Sequence, residues 1–561
     1  MSPEVRPEPK RFFGVERLNN ANRYDAIVVG GGHNGLVAAA YLARGGASTL
    51  VCEARDNVGG ASTTEQPWGP EYNVSALSYV VSLMPPKLTQ DLKLDRFGYK
   101  VYPQEGYFMP RSDGDALVMG GKNPAEKRAE VARYSKRDAE ALDEWNDWIG
   151  ALGAVLAPLM LHPAPAVGSL RPRDLAAQAK IGWKLRNLGV RGVADITRLM
   201  TMSISDLLDD WFESPEVKAM LAVSGVIGTW AGPAEPGTAY VMLHHHIGDL
   251  GDGQVGQWGF AEGGMGGVAN AIASSARSFG AEIRTGSPVA KILTANGHAT
   301  GVALESGEEL AADVIVTATH PKIAFLQQLD RSELPGDFVG DIERWNTRSG
   351  VVKVNLALAE LPEFSAAPGA RPEIQGGTIA FAQSVDHIEN AFQDARRGKA
   401  AELPFADMCI PSFFDPTLAP EGQHIMSMFT QWVPHTWADA PDQSALDAYA
   451  DRMIDAVGEL APNLKSSILH RQVIGPHEMQ EGYGLIGGNI FHGELSPEQL
   501  FHLRPAPGYA DYRTPIKGLY QASSATHGGG GVTGIPGLNA YRQILKDRRF
   551  TRPARSRRIK S

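Results

Sequence analysis

Tyr24-Asp25-Ala26-Ile27-Val28-Val29 runs straight into Gly30-Gly31-Gly32-His33-Asn34-Gly35, and Leu36 to Arg44 follows as an Ala-rich stretch. The apolar run bounded by glycines predicts a short buried parallel strand. The Ala-rich stretch predicts a helix and Ser48 to Cys52 a second strand, which together make a βαβ unit. Within it, GxGxxG stands where a ligand phosphate is bound: Gly30 allows the tight turn, Gly32 the close approach of a pyrophosphate, and Gly35 the packing of helix on strand. His33 and Asn34, inside the loop, become neighbours of that ligand. The helix N-terminus adds free N–H groups and a partial positive charge. Glu53, 23 residues after Gly30 at the end of the second strand, is placed to accept hydrogen bonds from a ribose diol and to repel a 2′-phosphate. A dinucleotide other than the NADP type is the expected ligand.

Directly after Glu53 come Ala54, Arg55 and then Gly59-Gly60-Ala61-Ser62. A basic residue, a glycine pair and hydroxyls just past the second strand can meet phosphate and ribityl groups. This resembles the second fingerprint of glutathione-reductase-like flavoproteins, which implies FAD, although Ala61 stands where that family often has Arg. Near the other end, Gly518 to Leu545 reads as strand, glycine-rich loop and helix. The loop His527-Gly528-Gly529-Gly530-Gly531-Val532-Thr533-Gly534 looks like the carboxyl-terminal FAD segment of carotenoid desaturases, and Ser524, Thr533, Gly534 and Ile535 are its candidate cofactor contacts.

With GGGHNGLVAAAYLA (30–43), NVGGAS (57–62), SYVVSLMPP (78–86), HHHIGDL (244–250), GGMGG (263–267) and HGGGGVTG (527–534), the chain resembles the phytoene-desaturase-related, carotenoid-oxidoreductase-like FAD flavoproteins. Within them it is nearest the pyridine nucleotide-disulfide oxidoreductase domain 2 branch. The resemblance implies an α/β fold: a glutathione-reductase-like Rossmann FAD domain assembled from residues 20–110, 255–345 and 470–550, with a mixed α+β substrate domain from 111–254 and 346–469. Residues 1–19 are expected to be a disordered extension and 551–561 a basic tail. Val289 would meet the adenine through its backbone.

Flavin carries out its own redox chemistry, so few side chains are strictly required. The candidates for acid/base work or substrate contact are His527, at the loop expected to pass the flavin, His244 and His245, and Glu262 before the GGMGG loop. Adjacent histidines face apart on a helix or strand, so no metal site is expected from His244 to His246.

Two cysteines, Cys52 and Cys409, leave no CxxC for a disulfide reductase or a zinc site. A formal charge of −10 argues against a nucleic-acid binder. Glycine is in excess, 62 of 561 residues, against a usual ~7%. No secretory signal is visible, and the apolar run Ala151 to Leu161 is well short of the ~20 residues a bilayer requires. A cytoplasmic protein, soluble or in peripheral contact with a membrane, is expected. From Lys546 to Ser561 eight basic residues face one acid, Asp547, a pattern suited to a solvated end or to anionic lipid. Leu175 to Met200 mixes apolar with basic residues, as a membrane-surface helix or a packed cap helix would. The leading expectation is an FAD-dependent oxidoreductase that introduces or saturates C–C double bonds in a hydrophobic molecule, with the electron acceptor and oligomeric state unspecified. The alternatives are a flavin-dependent double-bond isomerase, a flavin-free lipid-binding escort protein and, more weakly, an amine oxidase.

Overall fold

The computed structural model describes residues 22–121, 123–186, 188–440 and 442–551. Strand Arg23–Val29 lies between Thr49–Cys52 and Glu309–Thr317, parallel to both. Glu282–Arg284 extends the sheet beyond Thr49–Cys52, and Leu519–Gln521 pairs in parallel with the end of Glu309–Thr317. Val289–Ala295, His298–Leu304 and the start of Glu309–Thr317 add an antiparallel meander at one edge. Strands from three distant stretches thus form one seven-stranded sheet. Helices His33–Arg44, Met265–Ser278 and Ile535–Thr551 pack together beside it. Their approach is close: a Cβ on Gly537 would meet the Asn34 carbonyl oxygen at 2.2 Å.

The second sheet, also seven-stranded, runs in the order Ile468–Ile474, Val351–Leu358, His424–Gln431, Phe405–Cys409, Thr378–Phe381, Tyr107–Pro110, Ala116–Val118. It moves two expected boundaries. Tyr107–Pro110 pairs with Thr378–Phe381, and Ile468–Ile474 with Val351–Leu358, so both belong to the substrate-side sheet rather than to 20–110 and 470–550. Alternation in Val351–Leu358 suggests a half-buried strand, yet all eight residues are buried. One face shares a core with Tyr449 and Met453 of helix Gln443–Leu460; the other meets Ala76 and Tyr79.

Helices fill most of 124–246, and a cluster of Trp145, Trp148, Trp211 and Phe212 with ring centroids 5.3–5.4 Å apart ties them together. Each such pair adds about 0.5–1.5 kcal/mol beyond area burial. Three of these helices begin at a serine whose hydroxyl accepts from an N–H three residues on: Ser135 from Asp138, Ser203 from Asp206, and Ser214 from Val217. Among the described residues no helix is long and apolar enough to cross a membrane. The expected extension 1–19 and residues 552–561 of the basic tail lie outside the described residues; Lys546 to Thr551 belong to the last helix.

Candidate cofactor site

The serine-capped helices make the exception informative. Helix His33–Arg44 begins at Gly32 with no side-chain cap and no acidic residue in its first turn. Its leading N–H groups and the positive end of its dipole are therefore left for an anion. The loop before it is fixed from three sides. Gly30 N–H donates to the Cys52 carbonyl at 2.9 Å and Gly59 N–H to the Gly31 carbonyl at 2.9 Å, which joins the two glycine fingerprints. Asn34 Nδ2 donates to Ser524 Oγ at 3.0 Å, which brings in the carboxyl-terminal stretch. Glu53 is buried and accepts from Gly31 N–H at 2.6 Å and Arg55 N–H at 2.9 Å.

These elements open on one cavity of about 560 Å³, within the usual range for a ligand site. Gly30, Gly32, His33, Asn34, Gly35, Glu53, Ala54, Arg55, Gly59, Gly60, Ala61, Val289, Ser524 and His245 all line it. Their chemistry fits FAD. Buried polar atoms on the wall stand without a protein partner: Asn34 Oδ1, Ser82 Oγ, Gln328 Oε1 and His492 Nδ1. Buried polar groups are rarely left unpaired, so a polar ligand is the natural partner. A Cβ on Gly32 would find only the Gly59 carbonyl oxygen, at 4.0 Å, so that face of the loop is open to the cavity.

Other expected contacts do not reach the wall. Ser62 donates to the Met265 carbonyl at 3.0 Å and so fastens its loop to the next helix. Thr533 donates to the Gly528 carbonyl and accepts from Ile535 N–H, capping the last helix from within the protein. A Cβ on Gly534 would strike Leu88 rather than a ligand. The loop meets the cavity instead through Gly531 and Val532. Arg55 lines the cavity, but its guanidinium pairs with Glu65 at 2.6 Å and lies over the Tyr483 ring. The Val289 carbonyl accepts from Gln328 Nε2 at 2.8 Å.

The acid/base candidates separate in the same way. Glu262 is a surface carboxylate held by Lys100 and by the Tyr102 hydroxyl, away from the cavity. The structure corrects that expectation: Glu262 has no route to the reacting region. His527 and His244 are buried beside the site but outside its wall. His527 Nε2 donates to the Leu159 carbonyl at 3.4 Å and His244 Nε2 to the Gly530 carbonyl at 2.6 Å. Burial holds both at a pKa of about 4, so they are neutral at pH 7 and serve as struts. His245 does line the cavity. Its Nδ1 lies against the Val241 and Ser224 carbonyls, which only accept, so the proton is on Nδ1 and Nε2 carries the lone pair.

One cluster escaped the sequence reading. Tyr79, on the wall, stacks on Phe429 at 5.7 Å and has Lys353 Nζ over its ring at 5.2 Å. Lys353 donates to Asn355 Oδ1 at 2.7 Å and to Ser427 Oγ. Burial brings Lys353 down to about 7 and pushes Asp407, beside the Tyr79 hydroxyl, up to about 7. Both groups can therefore exchange a proton near neutrality, one layer behind the cavity. The available signal was a lysine and an asparagine inside the apolar strand VVKVNLAL. Arg504 was also missed. Fully buried, it donates to the carbonyls of Phe491 and Ser524 at 2.8 and 3.0 Å and so anchors the loop that supplies Phe491 and His492 to the wall.

Comparison with known proteins agrees with this geometry. Residues 28–87 match the NAD(P)-binding Rossmann-like domain and residues 205–537 the flavin-containing amine oxidoreductase family. Pyridine nucleotide-disulfide oxidoreductase domain-containing protein 2 of Rattus norvegicus is 38% identical over 93% of this chain and 94% of its own length. A limonene dehydrogenase polypeptide of Castellaniella defragrans is 26% identical over 94% of this chain and 96% of its own length. The solved cyclohexylamine oxidase of Brevibacterium oxydans shares the fold with a TM-score of 0.56 at 18% identity, covering 93% of this chain and 99% of that one.

Proposed function

This chain belongs to the flavin-containing amine oxidoreductase family, in the branch of the pyridine nucleotide-disulfide oxidoreductase domain-containing protein 2 relatives, and on that premise we propose that it is an FAD-dependent oxidoreductase acting on C–C bonds of a hydrophobic substrate. Bound FAD would supply a two-electron acceptor for hydride. The protein would hold it through the uncapped helix and glycine loops at the pyrophosphate and through Glu53 at the ribose.

The observation that carries the substrate class is the chemistry of the remaining wall. Leu77, Val80, Leu83, Ile227, Trp258, Phe429 and Phe491 are apolar. The carboxylates on the lining are Glu53, which is bound to backbone N–H groups, and Glu305 and Glu481, which are both exposed. An ammonium substrate would enter without a buried counter-ion and lose its hydration uncompensated. An uncharged olefin loses nothing of the kind. Tyr79, braced between Phe429 and Lys353, closes that wall against water, and the Lys353–Asp407 pair behind it can hold or release a proton. The relative named as a limonene dehydrogenase supports this reading. A thiol–disulfide reaction is disfavoured: Cys52 and Cys409 are free and buried, on different sheets, and burial pushes both thiols up to about 12.

Product mass tests the proposal. Holoenzyme incubated with cyclic monoterpene and longer isoprenoid olefins and a dye acceptor should yield products two mass units lighter. Aldehyde formed from primary amines, with the olefins untouched, would refute the substrate class. Products of unchanged mass would favour isomerisation.

A further inference from the structure

Large apolar side chains are exposed at nine described positions, and six of them, Val167, Leu170, Leu175, Trp183, Val190 and Val193, fall within one stretch. That stretch is the loop after helix Lys136–Met160 and the helices Pro172–Arg186 and Gly189–Thr201. Leu170 is 84% exposed, Trp183 65% and Val190 90%. Such concentration is not the scatter of single apolar residues usual on a surface. The same stretch, 167–201, carries seven Arg and Lys against Asp174 and Asp195, a net +5 in a chain of net −10. The Arg186 guanidinium lies 5.0 Å over the Trp183 ring. Beneath the hairpin, Arg191 and Arg198 line a groove of about 440 Å³ together with Trp148 and Trp211.

We propose that this helical hairpin is a docking surface for an anionic phospholipid bilayer. Apolar side chains and an interfacial tryptophan, set among cations, match the acyl boundary and the phosphate layer above it at once. A second copy of the chain matches poorly. Hairpin against hairpin sets +5 against +5, and the described residues offer no second apolar patch of this size for a head-to-tail contact. The base of the hairpin is tied to the cofactor side. The Met160 carbonyl accepts from Asn539 Nδ2 at 3.0 Å and the Leu161 carbonyl from Arg542, both on the last helix. The surface would thus seat the enzyme where hydrophobic molecules are dissolved, but the inference rests on the hairpin and not on the substrate reading.

The test is co-sedimentation of the full chain with phosphatidylcholine vesicles, with and without phosphatidylserine. Three proteins are compared: the native chain, the variant L170S/W183S/V190S, and a chain ending at Thr551 that lacks the rest of the basic tail. The three substituted side chains are exposed, so flavin content and thermal midpoint should be unchanged. The native and shortened chains should pellet with the anionic vesicles, and the triple variant should bind about tenfold more weakly or not at all. Equal pelleting of the triple variant, loss of binding on shortening alone, or no pelleting of the native chain would each overturn the proposal. Light scattering that shows a native dimer made monomeric by the triple variant would also overturn it, in favour of self-association.

Discussion

Gly32→Ala should give a folded, thermally cooperative protein that purifies with less than about a tenth of the native FAD content. Gly32 adopts φ −65°, which alanine accepts, and its added Cβ meets no protein atom closer than 4.0 Å. The methyl group would project into the space a pyrophosphate needs against the N-terminus of helix His33–Arg44. The companion Gly35→Ala should behave differently. Its Cβ would lie 2.1 Å from the Gly30 carbonyl oxygen and 3.0 Å from Ala318 Cβ, so the loop itself must move. That variant should lose stability as well as flavin. The absorbance ratio of flavin to protein, read with circular dichroism and thermal melts, checks both. Native flavin content in Gly32→Ala would mean the ligand phosphates do not lie against that loop.

A steep loss of stability in acid is the second expected result. Burial lowers the pKa of His33, His244 and His527 to about 4 and of His245 and His492 to about 3. An unfolded chain protonates these rings below about pH 6.5, whereas the folded chain does not. The unfolded state therefore binds more protons in that window. The stability from the neutral rings is fully present above pH 6.5 and is lost as pH falls toward 4. At about 1.4 kcal/mol per pH unit per group, five rings together account for on the order of 10 kcal/mol, comparable with the whole stability of an ordinary domain. Asp407 works in the opposite direction, since its raised pKa contributes stability that is lost as pH rises toward 7, but it is one group against five. Thermal midpoints measured from pH 7 down to 4.5 should fall steeply; a flat profile would mean the rings are already solvated or charged in the native state.

The cofactor half of the fold was legible because its requirements are local. A strand, a glycine loop and a helix are contiguous in residues 24–44, and Glu53 follows at a fixed distance, so the spacing alone carries the chemistry. The carboxyl-terminal loop was recognisable as a neighbour of the cavity, but which of its residues reach the wall depends on how the last helix is capped, and Thr533 proved to be that cap. Lys353 and Asp407 were illegible for a different reason. They come from strands paired only through His424–Gln431 between them, and their meeting with Tyr79 is a long-range contact with no sequence period. His244 and His527 show the reverse error. Histidine near a cofactor loop suggests acid/base work, but full burial against carbonyl acceptors makes these rings neutral struts. The two domain boundaries shifted because Tyr107–Pro110 and Ile468–Ile474 are short strands whose sheet is set by partners far along the chain.

The central claim is that a cavity joined from three distant stretches holds FAD with an apolar, carboxylate-free face turned to the substrate. Anaerobic spectrophotometry of the holoenzyme tests it most directly. Stoichiometric addition of an uncharged isoprenoid olefin should bleach the flavin absorbance near 450 nm, and primary amines of similar size should leave it unchanged. Bleaching by the amines alone would contradict the account.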